Sequence, residues 1–372
     1  MKKVVVASDS FKGCLSSEQV VEAVEKGVHD VFPDAEVVGL PVADGGEGSL
    51  AAVKGACNGC TEVTVTVKGP LYCDVEAKYL ISQDGQTAII EIAQACGLTL
   101  LDSHQRDPLK TTTSGFGQMI MDAISKGCRK VIVALGGTCT NDAGTGMLSA
   151  LGYKITNGNG MPNACYGAEL MLLADVDDSE VPQEVKETDF VVMCDVTAPF
   201  YGPYGAACVY APQKGANRYQ VKALDEGLCN FAEVIREKTG KNVQNVPGTG
   251  AAGGVAGAMY AFLGAELRSG AELILDYIDF DNVIEDADLV ITGEGKIDAQ
   301  TLTGKLPYIV ARRTSAQRIP VLAICGISEI AELPGVYAVR QVSPMDMPLA
   351  EAKKPAIAKE NIRRTVCDFL KG

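Results

Sequence analysis

Several residue types that build common catalytic sites are scarce or missing. The chain of 372 residues has no tryptophan and only two histidines, His29 and His104. This leaves little room for a histidine-built metal site or a Ser-His-Asp triad. No apolar run approaches the roughly 18 residues of a transmembrane helix, and Val4–Ala7 is far too short for a signal peptide. We therefore expect a cytoplasmic protein without membrane contact.

Positive charge is also in deficit. The chain carries 33 Lys+Arg against 47 Asp+Glu, which gives a net charge of −14. This balance argues against binding nucleic acid through bulk charge, although a local site can still hold a phosphate ligand. The Walker A pattern G-x-x-x-x-G-K-[ST] is absent, so a P-loop kinase is excluded.

Hydrophobic residues make up 47% of the chain, and its length suggests two or three domains. Short apolar runs, each followed by a polar or glycine-rich turn, are typical of strands buried on both faces of a parallel sheet. They are Val4–Ala7, Val37–Val42, Val131–Leu135, Phe190–Met193, Leu289–Ile291 and Val321–Ile324. Amphipathic stretches predict helices over Ser16–Val31, Phe116–Ser125 and Thr140–Leu151. This alternation of strand and helix indicates an α/β fold.

One stretch breaks that rhythm. From Thr61 to Ala93 apolar residues alternate with polar ones, and turn signals stand at Gly69-Pro70 and Asp84-Gly85. This pattern predicts an antiparallel meander. We therefore expect two α/β domains, a discontinuous Rossmann-like parallel-sheet domain and an inserted mixed α/β domain. The first is expected to comprise residues 1–60, 126–160 and 284–372, and the second residues 61–125 and 161–283.

Three glycine-rich polar turns follow predicted strands, where ligands bind in open α/β sheets. They are Asp44–Gly48, Gly136–Gly144 and Gly293–Asp298. Glycine lets the backbone approach a ligand, and amides at a helix start favour phosphate. Carboxylates repel phosphate unless a divalent cation lies between them, and such oxygen ligands suit Mg²⁺. Each turn alone is also explained by ordinary turn chemistry, but three together favour a site for phosphate and metal.

A further glycine-rich segment, Pro247–Gly254, contains the pattern G-x-G-x-x-G. A dinucleotide site would need a strand before this pattern, and the preceding Val243–Val246 is short and polar. The segment favours a loop that cradles phosphate groups and opens a helix from Val255. NAD binding and close helix packing are the alternatives.

Six segments in order resemble the glycerate kinases of the first bacterial type. They are DSFKG (9–13), PVADGGEG (41–48), GGTCTND (136–142), DVT (195–197) with Gly202-Pro203, PGTGAAGG (247–254) and GEGKIDAQT (293–301). The resemblance implies two α/β domains with the active site in the cleft between them. It also implies transfer of the ATP γ-phosphate to D-glycerate with Mg²⁺, giving 2-phosphoglycerate. An NAD-dependent dehydrogenase and an inactive sugar-acid sensor are the rival hypotheses.

Residue type and position suggest roles for the polar side chains, and these roles can be permuted. The catalytic candidates are Asp44, as base for the glycerate hydroxyl, Lys12 and Asp195. The substrate-binding candidates are Ser10, Lys12, Thr113, Ser114 and Asn141. The candidates for holding ATP are Gly45, Gly46, Gly250, Gly253 and Gly254. The metal candidates are Asp195 and Glu294, with Asp298 in reserve. We expect a monomer or homodimer whose partners are D-glycerate and ATP.

Overall fold

The structure is a computed structural model that describes residues 1–11, 13–42, 50, 59–299, 301–344 and 346–372. These residues form two compact units. Unit 1 contains the described residues of 1–42 and 269–372, and unit 2 contains Leu50 and residues 59–268. None of the helices in this part of the chain reaches the combined length and hydrophobicity that crossing a membrane requires.

The described residues form strands and helices in alternation along most of the chain. The strands are β1 (Lys3–Ser8), β2 (Glu36–Pro41), β3 (Thr61–Lys68), β4 (Asp74–Ile81), β5 (Thr87–Glu91), β6 (Lys130–Ala134), β7 (Lys154–Asn157), β8 (Leu173–Asp177), β9 (Asp189–Met193), β10 (Glu266–Arg268), β11 (Leu289–Ile297), β12 (Val321–Ser328) and β13 (Ala338–Gln341). The helices are α1 (Ser17–His29), α2 (Ala93–Cys96), α3 (Ser114–Ser125), α4 (Thr145–Ala150), α5 (Gln183–Lys186), α6 (Ala206–Tyr210), α7 (Arg218–Thr239), α8 (Val255–Phe262), α9 (Gly270–Tyr277), α10 (Phe280–Val283), α11 (Leu306–Ser315), α12 (Leu349–Ala352) and α13 (Pro355–Lys371).

Unit 1 is built on a five-stranded sheet in the order β13-β12-β11-β1-β2. Every neighbouring pair in it is parallel. The central valines Val4 and Val6 are fully buried, and they share a hydrophobic core with Val24 of α1 and Ile362 of α13. The two ends of the chain therefore meet in one Rossmann-like sheet, as the apolar runs predict.

The connections in this sheet run in opposite directions on either side of its centre. From β1 the chain moves outward to β2, whereas from β11 it moves the other way to β12 and β13. The strand order thus reverses between β1 and β11, where the Asp9 amide donates to the Gly293 carbonyl at 3.0 Å. Such a reversal leaves a crevice at the carboxyl ends of the strands, where open α/β sheets bind ligands.

Unit 2 is built on a six-stranded sheet in the order β10-β9-β6-β5-β4-β3. Strands β3, β4 and β5 pair antiparallel, which confirms the predicted meander. Strands β5, β6, β9 and β10 pair in parallel. The core of this unit includes the fully buried Tyr79 of β4, Phe116 of α3 and Phe231 of α7. The mixed α/β character of the second domain is therefore confirmed.

The structure corrects the expected domain boundaries. Residues 126–160, expected in the first domain, lie in unit 2 because β6 pairs in parallel with β5 and β9. Residues 269–283, expected in the second domain, lie in unit 1, where Asp276 of α9 and Asp281 of α10 form ion pairs with Arg313 of α11. Buried parallel strands have similar sequences, so the pattern alone does not reveal which sheet a strand joins.

One helix begins later than its pattern predicts. The stretch Thr140–Leu151 is helical only over Thr145–Ala150. Ala143 and Gly144 both have positive φ angles, 51° and 76°, and two successive left-handed residues cannot continue a right-handed helix. The residues before them therefore form a polar loop after β6 instead of a helical turn.

Candidate active site

Unit 1 contains a cavity of about 460 Å³ at the carboxyl ends of β1, β11, β12 and β13. Its polar wall includes the buried carboxylates of Asp9 and Glu294, the Ser10 side chain and the ammonium group of Lys305. These residues follow or end the two strands between which the strand order reverses. The position of the cavity is that expected for a ligand site in an open parallel sheet.

Glu294 is the most strongly buried of the predicted metal ligands, with 7% of its surface exposed. Burial raises the pKa of its carboxyl group, although a hydrogen bond donated by the Thr301 hydroxyl and the nearby charge of Lys305 oppose that shift. Lys305 Nζ lies 3.7 Å from one Glu294 oxygen and 4.0 Å from an Asp298 oxygen. Glu294 and Asp298, the two predicted metal ligands in unit 1, therefore both lie close to the ammonium group of Lys305.

The carboxylates of Glu294 and Asp298 match the ligands that Mg²⁺ prefers. Mg²⁺ usually takes one or two carboxylates and completes its shell with waters and substrate phosphates. Glu294 and Asp298 supply two such carboxylates, and both already direct an oxygen toward one positive charge. No group of three or more His, Cys, Asp or Glu side chains suited to a metal occurs among the described residues. The site therefore fits a magnesium ion that shares its coordination with a phosphate ligand.

Several residues predicted to belong to the active site do not line this cavity. Asp195 lies in unit 2, two residues after the end of β9, and its metal role stays a prediction. Lys12, Asp44, Gly45 and Gly46 lie outside the described residues, and their roles stay predictions as well.

Asp9 is a cavity residue to which the sequence analysis gave no role. One of its carboxylate oxygens accepts a hydrogen bond from the Ser10 amide at 2.6 Å, and only 7% of the residue is exposed. Asp9 follows a buried strand directly, which is the signal that singled out the other acidic turns. That signal could have identified it.

In unit 2, the polar loop after β6 is organised around the fully buried Asp142. Its carboxylate accepts hydrogen bonds from the Thr113 amide at 2.7 Å, from the Thr113 hydroxyl at 2.8 Å and from the Gly144 and Gly146 amides. Burial raises the pKa of Asp142, and these bonds oppose the rise. The Thr113 hydroxyl therefore donates its proton inside the protein, and its contact with substrate stays a prediction.

The neighbouring predicted substrate residues differ in their surroundings. Asn141 is fully buried, and among the described residues no group forms a hydrogen bond with its side-chain oxygen or nitrogen. A buried amide without partners costs roughly 1–3 kcal/mol for each unsatisfied group, which supports a role in binding a ligand. Ser114 begins α3 and is partly exposed. Substrate binding by Asn141 and Ser114 stays a prediction.

Lys214 was missed by the sequence analysis, although it lies beside Asn141's loop. It is 2% exposed, and its ammonium group donates to the Thr140 carbonyl at 2.6 Å and to the Thr138 hydroxyl at 3.1 Å. Among the described residues no carboxylate forms an ion pair with it. Burial lowers its pKa to about 8. A lysine at the end of the short turn Pro212–Lys214 has no distinctive sequence signal, so only the structure reveals its burial.

Close packing around the loop that contains Gly253 requires glycine at two of its positions. A Cβ atom at Gly253 would lie 2.4 Å from the Thr140 carbonyl oxygen, and one at Gly250 would lie 2.2 Å from the Pro199 carbonyl oxygen. The residues before the loop, Val243–Asn245, form a 3₁₀ turn, so the strand that a dinucleotide-binding pattern requires is missing there. Close packing thus explains Gly250 and Gly253, and a nucleotide role for them and for Gly254 stays a prediction.

This packing predicts the effect of adding one methyl group. We expect Gly253→Ala to lower the free energy of unfolding by about 1–3 kcal/mol more than Gly240→Ala, because a Cβ at residue 253 displaces backbone atoms. Gly240 is a matched control, since its φ of 71° resembles the 68° of Gly253 and nothing lies within 4 Å of its Cβ position. Urea unfolding of both variants measures the difference. Equal stabilities, with a raised KM for ATP in Gly253→Ala alone, would instead identify a phosphate-binding loop.

Comparisons with known proteins identify similar proteins over most of the chain. The sequence profile of the glycerate kinase family matches residues 4–371. The chain is 44% identical over 326 residues to a glycerate kinase of Halalkalibacterium halodurans, covering 88% of this chain and 86% of that protein. It is also 44% identical over 324 residues to the glycerate 2-kinase of Escherichia coli, covering 87% and 85% of the two chains.

A crystal structure supports the same relationship. The structure of a candidate glycerate kinase 2 from Salmonella typhimurium has a TM-score of 0.85 and 40% sequence identity to this chain. The match covers 100% of this chain and 97% of the other. Profile, sequence and fold thus agree over nearly the full length, and the chain belongs to the glycerate kinase family.

Proposed function

We propose that this protein transfers the γ-phosphate of ATP to the 2-hydroxyl group of D-glycerate, with Mg²⁺, giving 2-phospho-D-glycerate and ADP. One observation carries the proposal: the buried Glu294 carboxylate, beside Asp298 and Lys305, at the ligand-binding edge of the unit 1 sheet. The name of the Escherichia coli relative, glycerate 2-kinase, supports the choice of hydroxyl.

Phosphoryl transfer depends mainly on positioning and on neutralising charge. The O2 atom of glycerate bonds to the γ-phosphorus while the bond from that phosphorus to ADP breaks, and Asp44 accepts the proton from O2. Ser10 and Lys12 hold the glycerate carboxylate or the moving phosphoryl group. Glu294 and Asp298 would hold Mg²⁺, which when bound neutralises charge on the phosphate oxygens, and a metal role for Asp195 stays a prediction.

The remaining roles concern binding. Thr113, Ser114 and Asn141 are assigned to glycerate, and the unsatisfied amide of Asn141 supports that assignment best. The glycine-rich segment Pro247–Gly254 is a candidate for binding an anionic group, and three successive positive φ angles at Ala252, Gly253 and Gly254 support this. Backbone amides in such a run form concave sites that favour anions.

The regiochemistry of the product gives a direct test. Purified protein is incubated with ATP, Mg²⁺ and D-glycerate, and proton-coupled phosphorus NMR of the product is recorded. We expect a doublet, because the phosphorus of 2-phosphoglycerate couples to the single proton on C2. A triplet, from the two protons on C3, would show a 3-kinase, and the absence of a phosphorylated acid would refute the function. A reaction with excess chelator is the control for the metal.

A further inference from the structure

The unit 1 cavity has two chemically different walls. The wall of β1 and β11 is polar and carries Asp9, Ser10, Glu294 and Lys305. A second group of lining residues comes from the end of β12, from β13 and from the segment after it, where Gln341, Ser343 and Lys353 are polar and the others are mainly apolar. This apolar wall consists of Ile327, Val342, Pro344, Met347, Leu349, Ala352 and Ala358. A ligand that fills the cavity must therefore have one polar and one apolar part.

Part of the apolar wall is open to solvent, although Val342, Ala352 and Ala358 are buried. Leu349 is 54% exposed and Ile327 is 40% exposed, although both are large aliphatic residues. Single exposed aliphatic residues are common on protein surfaces, but here they line the same cavity as Met347 and Pro344. A ligand with an apolar surface would remove this wall from water, at roughly 25 cal/mol for each Å² covered.

The floor of the cavity includes Gly295 of β11 and Gly326 of β12. A Cβ atom at Gly326 would lie 2.8 Å from the Gly295 carbonyl oxygen. The two strand ends thus approach each other closely, and at these positions they present only backbone to the cavity. A floor of this kind leaves room for a flat ring.

The cavity also has positive charges for an anionic group. Lys305 is placed between Glu294 and Asp298, where a phosphate bridged to these carboxylates by a divalent cation would meet it. Lys353 lines the cavity too, is exposed, and has no carboxylate ion-pair partner among the described residues.

We propose that this cavity in unit 1 is the ATP site of the enzyme, with the adenine base against the apolar wall and the triphosphate toward Ser10 and Lys305. This inference rests on the proposed kinase function and departs from the prediction that the unit 2 glycine loop holds ATP. The volume of about 460 Å³ lies in the range of nucleotide and cofactor sites. Glycerate, a three-carbon acid, would leave both the volume and the apolar wall largely unused.

Two further observations favour unit 1 over unit 2. The unit 1 sheet reverses its strand order next to the cavity, whereas the parallel strands β5, β6, β9 and β10 of unit 2 follow one another in one direction. The close backbone contacts of Gly250 and Gly253 explain the unit 2 glycines without a nucleotide.

The substitution Leu349→Asp tests the proposal without disturbing the core. It removes an exposed part of the apolar wall and places a negative charge near the nucleotide. Leu172→Asp is the matched control, because Leu172 is 56% exposed and lies in unit 2. Calorimetry with the full chain, Mg²⁺ and the nonhydrolysable analogue AMP-PNP gives Kd, and steady-state kinetics with D-glycerate gives KM.

We expect Leu349→Asp to raise the Kd for AMP-PNP about tenfold or more, while its KM for D-glycerate and the Kd of Leu172→Asp stay within about twofold of wild type. An unchanged Kd in Leu349→Asp would overturn the proposal, and a raised KM for D-glycerate alone would assign the cavity to glycerate. A wild-type protein that neither binds AMP-PNP nor phosphorylates D-glycerate would refute the kinase function itself.

Photolabelling provides a second measurement that does not depend on a variant. With 8-azido-ATP, whose reactive group is on the base, we expect labelled peptides between Ile327 and Ala358. Labelling confined to peptides that contain Pro247–Gly254 would overturn the proposal and restore the glycine loop as the nucleotide site.

Discussion

The substitution Glu294→Gln is expected to lower kcat by roughly 10²–10³-fold, the usual effect of removing one charge-stabilising group from an active site. The amide has nearly the size of the carboxylate, and its oxygen can still accept the hydrogen bond from Thr301. The change therefore removes one negative charge while preserving the packing. If Glu294 holds Mg²⁺, raising the Mg²⁺ concentration should restore part of the lost activity through mass action.

The control for this variant is Glu329→Gln. Glu329 also forms an ion pair in unit 1, with Lys296 at 2.8 Å, but its side chain is 58% exposed. An exposed pair contributes little to stability, so this variant should keep nearly full activity. Steady-state rates at several Mg²⁺ concentrations compare the two variants. Full activity of Glu294→Gln would show that the carboxylate has no part in catalysis.

The second large effect is expected for Lys214→Met. Methionine is similar in length to lysine but cannot donate hydrogen bonds to Thr138 and Thr140. These two bonds hold the loop that carries Asn141, and displacement of a binding group by about 1 Å can lower the rate roughly 10²-fold. We expect kcat/KM for D-glycerate to fall by about that factor, with the KM for ATP nearly unchanged.

Stability should respond to this substitution much less than activity does. The lowered pKa of Lys214, about 8 instead of 10.5, means that burying the charged amine costs the folded state about 3 kcal/mol below pH 8. Methionine avoids this cost, although it leaves two loop acceptors without a donor. We therefore expect the free energy of unfolding of Lys214→Met at pH 7 to lie within about 2 kcal/mol of wild type.

The pH dependence of stability gives an independent check of the buried lysine. Between pH 8 and 10.5 the unfolded state binds the Lys214 proton and the folded state does not, so the wild type gains stability relative to Lys214→Met as pH rises. Cys139 and Asp142 face the ammonium group, and the negative charge of Asp142 opposes the lowering of the Lys214 pKa by burial, while the buried Cys139 thiol stays neutral in this pH range. Urea unfolding at pH 7 and pH 9 should show a gain of about 1 kcal/mol in the wild type relative to the variant.

Lys222→Met is the matched control for this pair of measurements. Lys222 lies on α7 in the same unit, its side chain is 78% exposed, and it pairs with Glu226 at 3.6 Å. Neither its activity nor its pH dependence should differ from wild type. If Lys214→Met kept full activity, Lys214 would have no part in positioning the substrate loop.

Much of the fold follows from local sequence patterns. Apolar runs such as Val4–Ala7 and Val131–Leu135 are strands buried on both faces, and the period-two stretch Thr61–Ala93 is an antiparallel meander. The helix predicted from Ser16 begins there because the Ser16 and Gln19 side chains form a capping box. Patterns of this kind depend on neighbouring residues, which the sequence shows directly.

The assignment of strands to sheets does not follow from these patterns. Residues 126–160, which include β6, were expected in the first domain, but β6 pairs with β5 and β9 in unit 2. A parallel strand that is buried on both faces has the same apolar composition in either sheet, so its partners are decided by long-range packing. The delayed start of α4 has a local cause, the positive φ of Ala143, but alanine carries no signal for it.

For the site, the sequence by itself determined the family through six ordered segments, and it identified Glu294 and Asp298 as residues near one another in a polar turn. Only the tertiary structure decided that Lys305 lies beside both carboxylates, that Asp9 joins the cavity wall and that Lys214 is buried without a carboxylate partner among the described residues. Burial and charge pairing depend on which distant segments meet, and a linear sequence records this only indirectly.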